Sequence, residues 1–160
     1  MTPDEEARRA LAYHEAGHAV IEWSFGIPIR DIEIQGLRGH VRDSLRLSQL
    51  HPESDYQKLE QLAIVLFAGE AAEQILNEQI EFTCSGHDLA QIGLIAELLF
   101  ESNAQDSSTW IKTIKTRTDV CVIQNRDRVC ALAEVLTGKD YVSGAEAVRI
   151  IESAATTPKK

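Results

Sequence analysis

Two stretches at the start of the chain, Thr2-Pro3-Asp4-Glu5 and His14-Glu15-Ala16-Gly17-His18-Ala19-Val20, decide how the rest is read. Thr2 and Glu5 have the spacing of a capping box, in which each side chain satisfies the other's orphan backbone amide. Pro3 takes the first helical position, where a missing N–H costs nothing. The helix so started runs to about Phe25, where Gly26 and Pro28 stop it. His14 and His18 are four residues apart and so share one face of that helix, one turn from each other. Neutral imidazole is a good zinc ligand, and two ligands fixed on a rigid helix lose little freedom on binding. Glu15, directly after the first histidine, can reach a water at the metal without ligating it, the placement of a general base in metallopeptidases. With five histidines and 25 acidic residues among 160, random placement would give about 0.02 His-acid-x-x-His motifs in such a chain. The competing reading is an amphipathic helix with two surface or capping histidines. Position inside a well-capped helix favours zinc.

Outward from this helix, Ile29, Ile32 and Ile34, then Gly36-Leu37-Arg38-Gly39 and Val41, read as a strand, a turn and a second strand. A second helix is expected from near Pro52, with Leu59, Leu62, Ala63 and Leu66 at helical spacing, continuing through Ala71, Ala72 and Ile75. Gly69 falls in its middle, where glycine is unfavourable, which implies a close helix–helix contact. A third helix is expected from Ser85 through Leu89, Ile92, Ile95, Ala96 and Leu99. The polar run Glu101 to Ser108 reads as a loop, and a long helix is expected from about Thr109 to Leu136, ending at Gly138. Ser143-Gly144-Ala145-Glu146 is a second capping box that opens a last short helix. The expected fold is mainly α: a compact multi-helix domain with one small β-hairpin and a zincin-like helix, residues 1–160 forming a single domain.

Composition narrows the function classes. Sixteen basic against 25 acidic residues leave a formal charge of −9, which argues against a nucleic-acid partner and against an anionic membrane surface. The longest apolar run, Leu62 to Gly69, is far short of the roughly 20 residues of a spanning helix. Met1-Thr2-Pro3-Asp4-Glu5-Glu6 lacks the basic-then-apolar pattern of a secretion signal. Cys84, Cys121 and Cys130 include no Cys-x-x-Cys pair and read as reduced thiols, so a cytoplasmic protein is expected.

A catalytic zinc site needs a third protein ligand and an open position. The extended motif that supplies it from the same helix is excluded, because its remaining positions hold Ile21 and Ser24. Candidates elsewhere are Glu70, Glu73, Asp88, His40, His51 and His87, and spacing does not choose among them. Asp88 has a structural alternative as the third residue of a Ser85-Gly86-His87-Asp88 cap. Glu22, one turn beyond His18, could orient a ligand imidazole or simply be solvated. Trp23, Phe67 and Trp110 read as core residues rather than substrate pockets. Cys84 lies near enough in sequence to the site to be redox-sensitive, though a buried structural thiol is the commoner case. The strand with Ile32 and Ile34 could offer an edge to an extended peptide.

His14 to Val20 resembles the opening of the peptidase domain of FtsH-type AAA zinc proteases. Phe67-Ala68-Gly69-Glu70-Ala71-Ala72-Glu73 is similar to that family's Leu-Ala-Gly-Arg-Ala-Ala-Glu segment. Ser85-Gly86-His87-Asp88-Leu89-Ala90-Gln91 resembles its Gly-Ala-Ser-Asn-Asp-Leu-Glu-Gln stretch, aligned on the Asp-Leu pair. The resemblance spans about the first hundred residues and thins to a general helical likeness from Val129 to Glu152. It implies that Asp88 is the third zinc ligand and that Gly39-His40-Val41 is the edge along which substrate lies, while Glu73, with Glu22, stays a candidate supporting or alternate ligand. It implies a zinc metallopeptidase acting on flexible or unfolded peptides, with Glu15 as base. It also allows a homo-oligomer and a separate ATPase partner. Two departures stand out: Cys84 replaces a glycine, and His87 replaces an asparagine, as an alternate ligand, a supporting donor or a solvent-facing cap residue. The 160 residues hold no phosphate-binding loop and no membrane anchor, so the likeness is to the peptidase part alone, and hydrolysis is expected to be ATP-independent. The alternative is a non-proteolytic, metal-containing adaptor working with a separate ATPase; retention of Glu15 favours an enzyme. An enzyme acting on another amide bond is a third reading.

Overall fold

A computed structural model describes residues 1–43, 46–76, 86–101 and 103–155. The first helix, α1 (Pro3–Ser24), starts as its sequence dictates. The Glu5 amide donates to Thr2 Oγ1 at 3.2 Å and the Thr2 amide to Glu5 Oε2 at 2.7 Å. Gly26, at φ +73°, turns the chain out of the helix. Strand β1 (Ile29–Gln35) and strand β2 (Arg38–Asp43) form an antiparallel hairpin. Its two-residue loop puts Gly36 at φ +60°, as a tight turn with glycine in first place requires. Helices α2 (Tyr56–Leu76), α3 (Gly86–Phe100), α4 (Ala104–Gln124) and α5 (Arg126–Gly138) follow, then strand β3 (Tyr141–Ser143) and helix α6 (Gly144–Ala155). No helix among the described residues is long and apolar enough to cross a membrane.

The fold is mainly helical with a small β element, as expected, but details differ for local reasons. The hairpin is extended by β3 into a three-stranded antiparallel sheet in the order β2-β1-β3. Three residues are too few for an alternation to register in sequence. The second helix begins at Tyr56 rather than near Pro52. Asp55 Oδ2 accepts the His51 amide at 2.9 Å and the Asp55 carbonyl accepts the Leu59 amide at 2.9 Å, so Pro52 lies in the preceding turn. The stretch read as a loop from Glu101 to Ser108 is largely the first turns of α4, because the Asn103 side chain caps the helix at the Asp106 amide. The long helix expected from Thr109 to Leu136 is two. Asn125 turns its amide back onto the Cys121 carbonyl at 2.9 Å while its Oδ1 accepts from Arg128 at 2.7 Å, separating α4 from α5. The opening of the third helix at Ser85, and Cys84, lie outside the described residues; the helix is described from Gly86.

α1 is the centre of the molecule. Every residue from Ala12 to Glu22 is buried, against α2 on one side and α5 on the other. Gly17 allows the crossing with α2, since a Cβ there would lie 2.6 Å from Ala72 Cβ and closer still to the Ala68 carbonyl oxygen. Beneath the sheet, Ile32 and Ile34 pack with Val142, Ala147 and Ile151, all fully buried, which fixes the hairpin over the groove face of α1. Phe67 and Trp110 are core residues as expected. Trp23 packs at the edge of the core under the Arg128 guanidinium, 4.8 Å from its ring centre.

Candidate metal centre

Leu11, His14, Glu15, His18 and Glu22 share one face of α1, and that face is the floor of an open groove of about 1400 Å³. β2 forms one wall, and the start of α3 and the flank of α2 form the other. His14 and His18 are both only 9% exposed, with ring centres 4.6 Å apart and planes nearly perpendicular.

The outer nitrogen of each imidazole is already spoken for. His18 Nδ1 donates to the Val65 carbonyl of α2 at 2.7 Å, and His14 Nδ1 donates to Glu73 Oε1 at 2.5 Å. Each partner is an acceptor, so each Nδ1 carries the proton and each Nε2 of a neutral ring presents a lone pair. Those two Nε2 atoms lie 3.0 Å apart, and Asp88 Oδ2 lies 3.2 Å from the first and 3.4 Å from the second. Three lone-pair-bearing atoms converging at such distances need a positive charge among them, either a metal ion or, without one, a proton on His14 Nε2 shared with Asp88. Ligands held about 2.0–2.1 Å from a tetrahedral zinc ion have edges of about 3.3–3.4 Å, close to the triangle observed. His14, His18 and Asp88 are the only group of three or more metal-ligating side chains brought together among the described residues.

The remaining sequence candidates are accounted for. Glu73 stands behind His14 as its acceptor rather than inside the triangle. Glu70, 6% exposed, faces Lys115 on α4 at 3.8 Å. His40 pairs with Glu33 at 3.6 Å, and His51 is exposed in the turn before α2. His87 is exposed on the groove wall beside Asp88, in the solvent-facing position. Glu22 is 2% exposed on the groove floor, but the group that orients His18 through Nδ1 is the Val65 carbonyl. A backbone carbonyl leaves no residue-type signal, so no sequence pattern could have named it.

Two glycines shape the space around these groups. A Cβ on Gly69 of α2 would sit 2.6 Å from His14 Nε2 and 2.7 Å from His18 Nε2, so a side chain there would fill the metal position. The close contact that its mid-helix place implied is therefore with the two imidazoles. A Cβ on Gly39 of β2 would sit 2.6 Å from Glu15 Cγ and 2.7 Å from Glu15 Oε1. The Glu15 carboxylate thus lies between α1 and the β2 backbone, 4% exposed. β1 is paired on both sides and offers no edge, contrary to the expectation for the strand with Ile32 and Ile34. β2 is the outer strand, and Gly39, His40 and Val41 line the groove.

Electrostatics follow from this burial. Burial lifts the Glu15 carboxyl above its ordinary pKa, with His18 and His14 opposing the rise. Burial works against protonation of His14, yet its hydrogen bonds to Asp88 and Glu73 outweigh that effect, and without a cation its pKa is pushed up to about 10. The arrangement can hold a divalent cation through two nitrogens and a carboxylate, with a buried carboxylate beside it to take a proton. The chain matches no protein-family model and no curated protein sequence.

Proposed function

We propose that this protein is a zinc-dependent metallopeptidase, built like the stand-alone peptidase part of FtsH-type proteases. The observation that carries it is the triangle of His14 Nε2, His18 Nε2 and Asp88 Oδ2, at 3.0–3.4 Å, with both Nδ1 atoms engaged behind it. His14, His18 and Asp88 would hold the ion, which when bound lowers the pKa of a water and polarises a carbonyl. Glu15 takes the proton from the attacking water and passes it to the leaving amine. Glu73 and the Val65 carbonyl keep the imidazoles in the ligating tautomer. An extended peptide lies along the β2 edge, where Gly39, His40 and Val41 border the Glu15 carboxylate.

Substrates in this proposal are flexible peptides or unfolded proteins. A homo-oligomer and a separate ATPase partner are compatible with it. A cytoplasmic setting accords with the two described cysteines, Cys121 and Cys130, both unpaired. The test is metal analysis of the purified protein with its His14→Ala and His18→Ala variants. About one zinc per chain is expected in the parent and none at stoichiometric level in either variant, because two protein ligands hold the ion poorly. Unchanged zinc in either variant rejects the site.

A further inference from the structure

The groove-side strand carries a charge pattern that the metal site does not use. On one face of the β1–β2 ladder, Asp31 stands opposite Arg42, Glu33 opposite His40 and Gln35 opposite Arg38. Arg42 is neutralised by a two-point contact with Asp31, at 2.6 and 2.9 Å, and His40 faces Glu33 at 3.6 Å. The third rung breaks the pattern, because Gln35 carries no charge and donates instead to Glu33 Oε1 at 2.6 Å. Arg38 lines the groove and makes no ion pair among the described residues. Arg46, three residues beyond the end of β2, is exposed, lines the same groove and likewise makes no ion pair among the described residues. Some other arginines find acids, Arg8 with Asp140, Arg9 with Glu134 and Arg117 with Glu60, and some find none among the described residues; Arg38 and Arg46 are set apart because both line the groove. The two arginines are exposed, whereas the four acids of the same groove, Glu15, Glu22, Glu73 and Asp88, are buried or half-buried.

We propose that Arg38 and Arg46 make this groove select peptides that carry a carboxylate close to the scissile bond. The position of that bond rests on the peptidase reading above. Arg38 adjoins Gly39, whose backbone borders Glu15, and a strand advances about 3.3 Å per residue, so the selected carboxylate falls within about two residues of the bond. The acids that also line the groove do not cancel the effect. Glu15, Glu22 and Asp88 are buried and Glu73 is half-buried against His14, whereas both arginines reach solvent. Charges elsewhere on the acidic surface are screened beyond about 8 Å at physiological salt, which leaves the local pair to decide.

The experiment uses acetylated and amidated fluorogenic peptides that differ only by Glu, Gln or Lys beside the cleaved bond. Each is measured for hydrolysis by the parent protein and for binding to the Glu15→Gln variant by fluorescence anisotropy. The expected order is Glu, then Gln, then Lys, spread about three- to tenfold at physiological salt, carried in Kd and KM rather than kcat, and collapsing at about 1 M salt. Arg38→Glu combined with Arg46→Glu should invert the order to favour Lys. A Gln peptide with a free C-terminus that matches the amidated Glu peptide supports carboxylate selection and assigns the group to the chain end. No order in the parent, or an order unchanged by the double substitution, overturns the proposal. Ordered binding without any hydrolysis removes the peptidase reading and leaves the charge selection standing; hydrolysis without order does the reverse.

Discussion

In the proposed peptidase, function turns on Glu15, which is buried beside the triangle of His14, His18 and Asp88 without being one of its members. Glu15→Gln keeps the shape and removes the ability to accept a proton. Zinc content and fold should be retained while hydrolysis falls by about 10²–10⁴-fold, and activity equal to the parent would place the chemistry elsewhere. The ligands can be ranked in the same way. Asp88→Asn should abolish tight zinc binding, whereas Glu73→Ala, which only removes the acceptor behind His14, should weaken it by about 10–100-fold. Competition with a chelating dye separates the two, and the reverse ranking would make Glu73 the ligand. His14 also couples the metal to protons. Its pKa, about 10 without a cation, means that zinc must displace a proton at neutral pH, so calorimetry in buffers of different ionisation heat should show about one proton released. The sign on stability follows. A pKa raised from 6.5 to about 10 stabilises the cation-free protein fully below pH 6.5, and that contribution is lost as pH rises through 10. The zinc-induced rise in Tm should therefore grow with pH across this window.

At the scale of elements, two close approaches do separate jobs. Gly69 brings α2 against the imidazoles and Gly39 brings β2 against the base. Gly69→Ala should cost zinc binding first, since the added methyl occupies the space between His14 and His18. Gly39→Ala should leave zinc in place and displace the Glu15 carboxylate, lowering kcat. Metal analysis and kinetics on the two variants check this separation, and loss of zinc in Gly39→Ala would contradict it. The same two positions show how much was legible. Glycine inside the α2 pattern signalled a close contact, but not its partner, because helical periodicity identifies a face and not what lies against it. Asn103 and Asn125 carried the signals that start α4 and divide it from α5. Their polar neighbours, in one case, and an unbroken apolar spacing, in the other, outweighed those signals in the linear reading.

For the whole molecule, the groove is open and bordered by the free edge of β2, and in the proposed reading it receives extended chain rather than a folded surface. Opening a stable substrate costs its own folding free energy, about 5–15 kcal/mol, and the 160 residues hold no phosphate loop to couple that work to ATP. The protein should cleave a permanently unfolded mutant and spare its tightly folded parent, with ATP changing neither rate. Equal cleavage of both would show that the groove does not require an extended chain.

The sequence alone determined the first helix, its caps and the pairing of His14 with His18 on one face, because capping and periodicity act between residues a few positions apart. It also determined the helical class of the fold, which follows from the spacing of apolar residues summed over long windows. Residue spacing left open which acid completes the triangle and which strand is the free edge; only the family resemblance implied Asp88 and Gly39-His40-Val41. Their placement, and the carbonyl that orients His18, were decided in three dimensions. Asp88 is 74 residues from His14 and Val65 is 47 from His18, and contacts at that separation depend on how helices cross. That crossing is set by the near absence of side-chain volume at Gly17, Ala68, Gly69 and Ala72, a property of the packed pair that neither helix carries by itself.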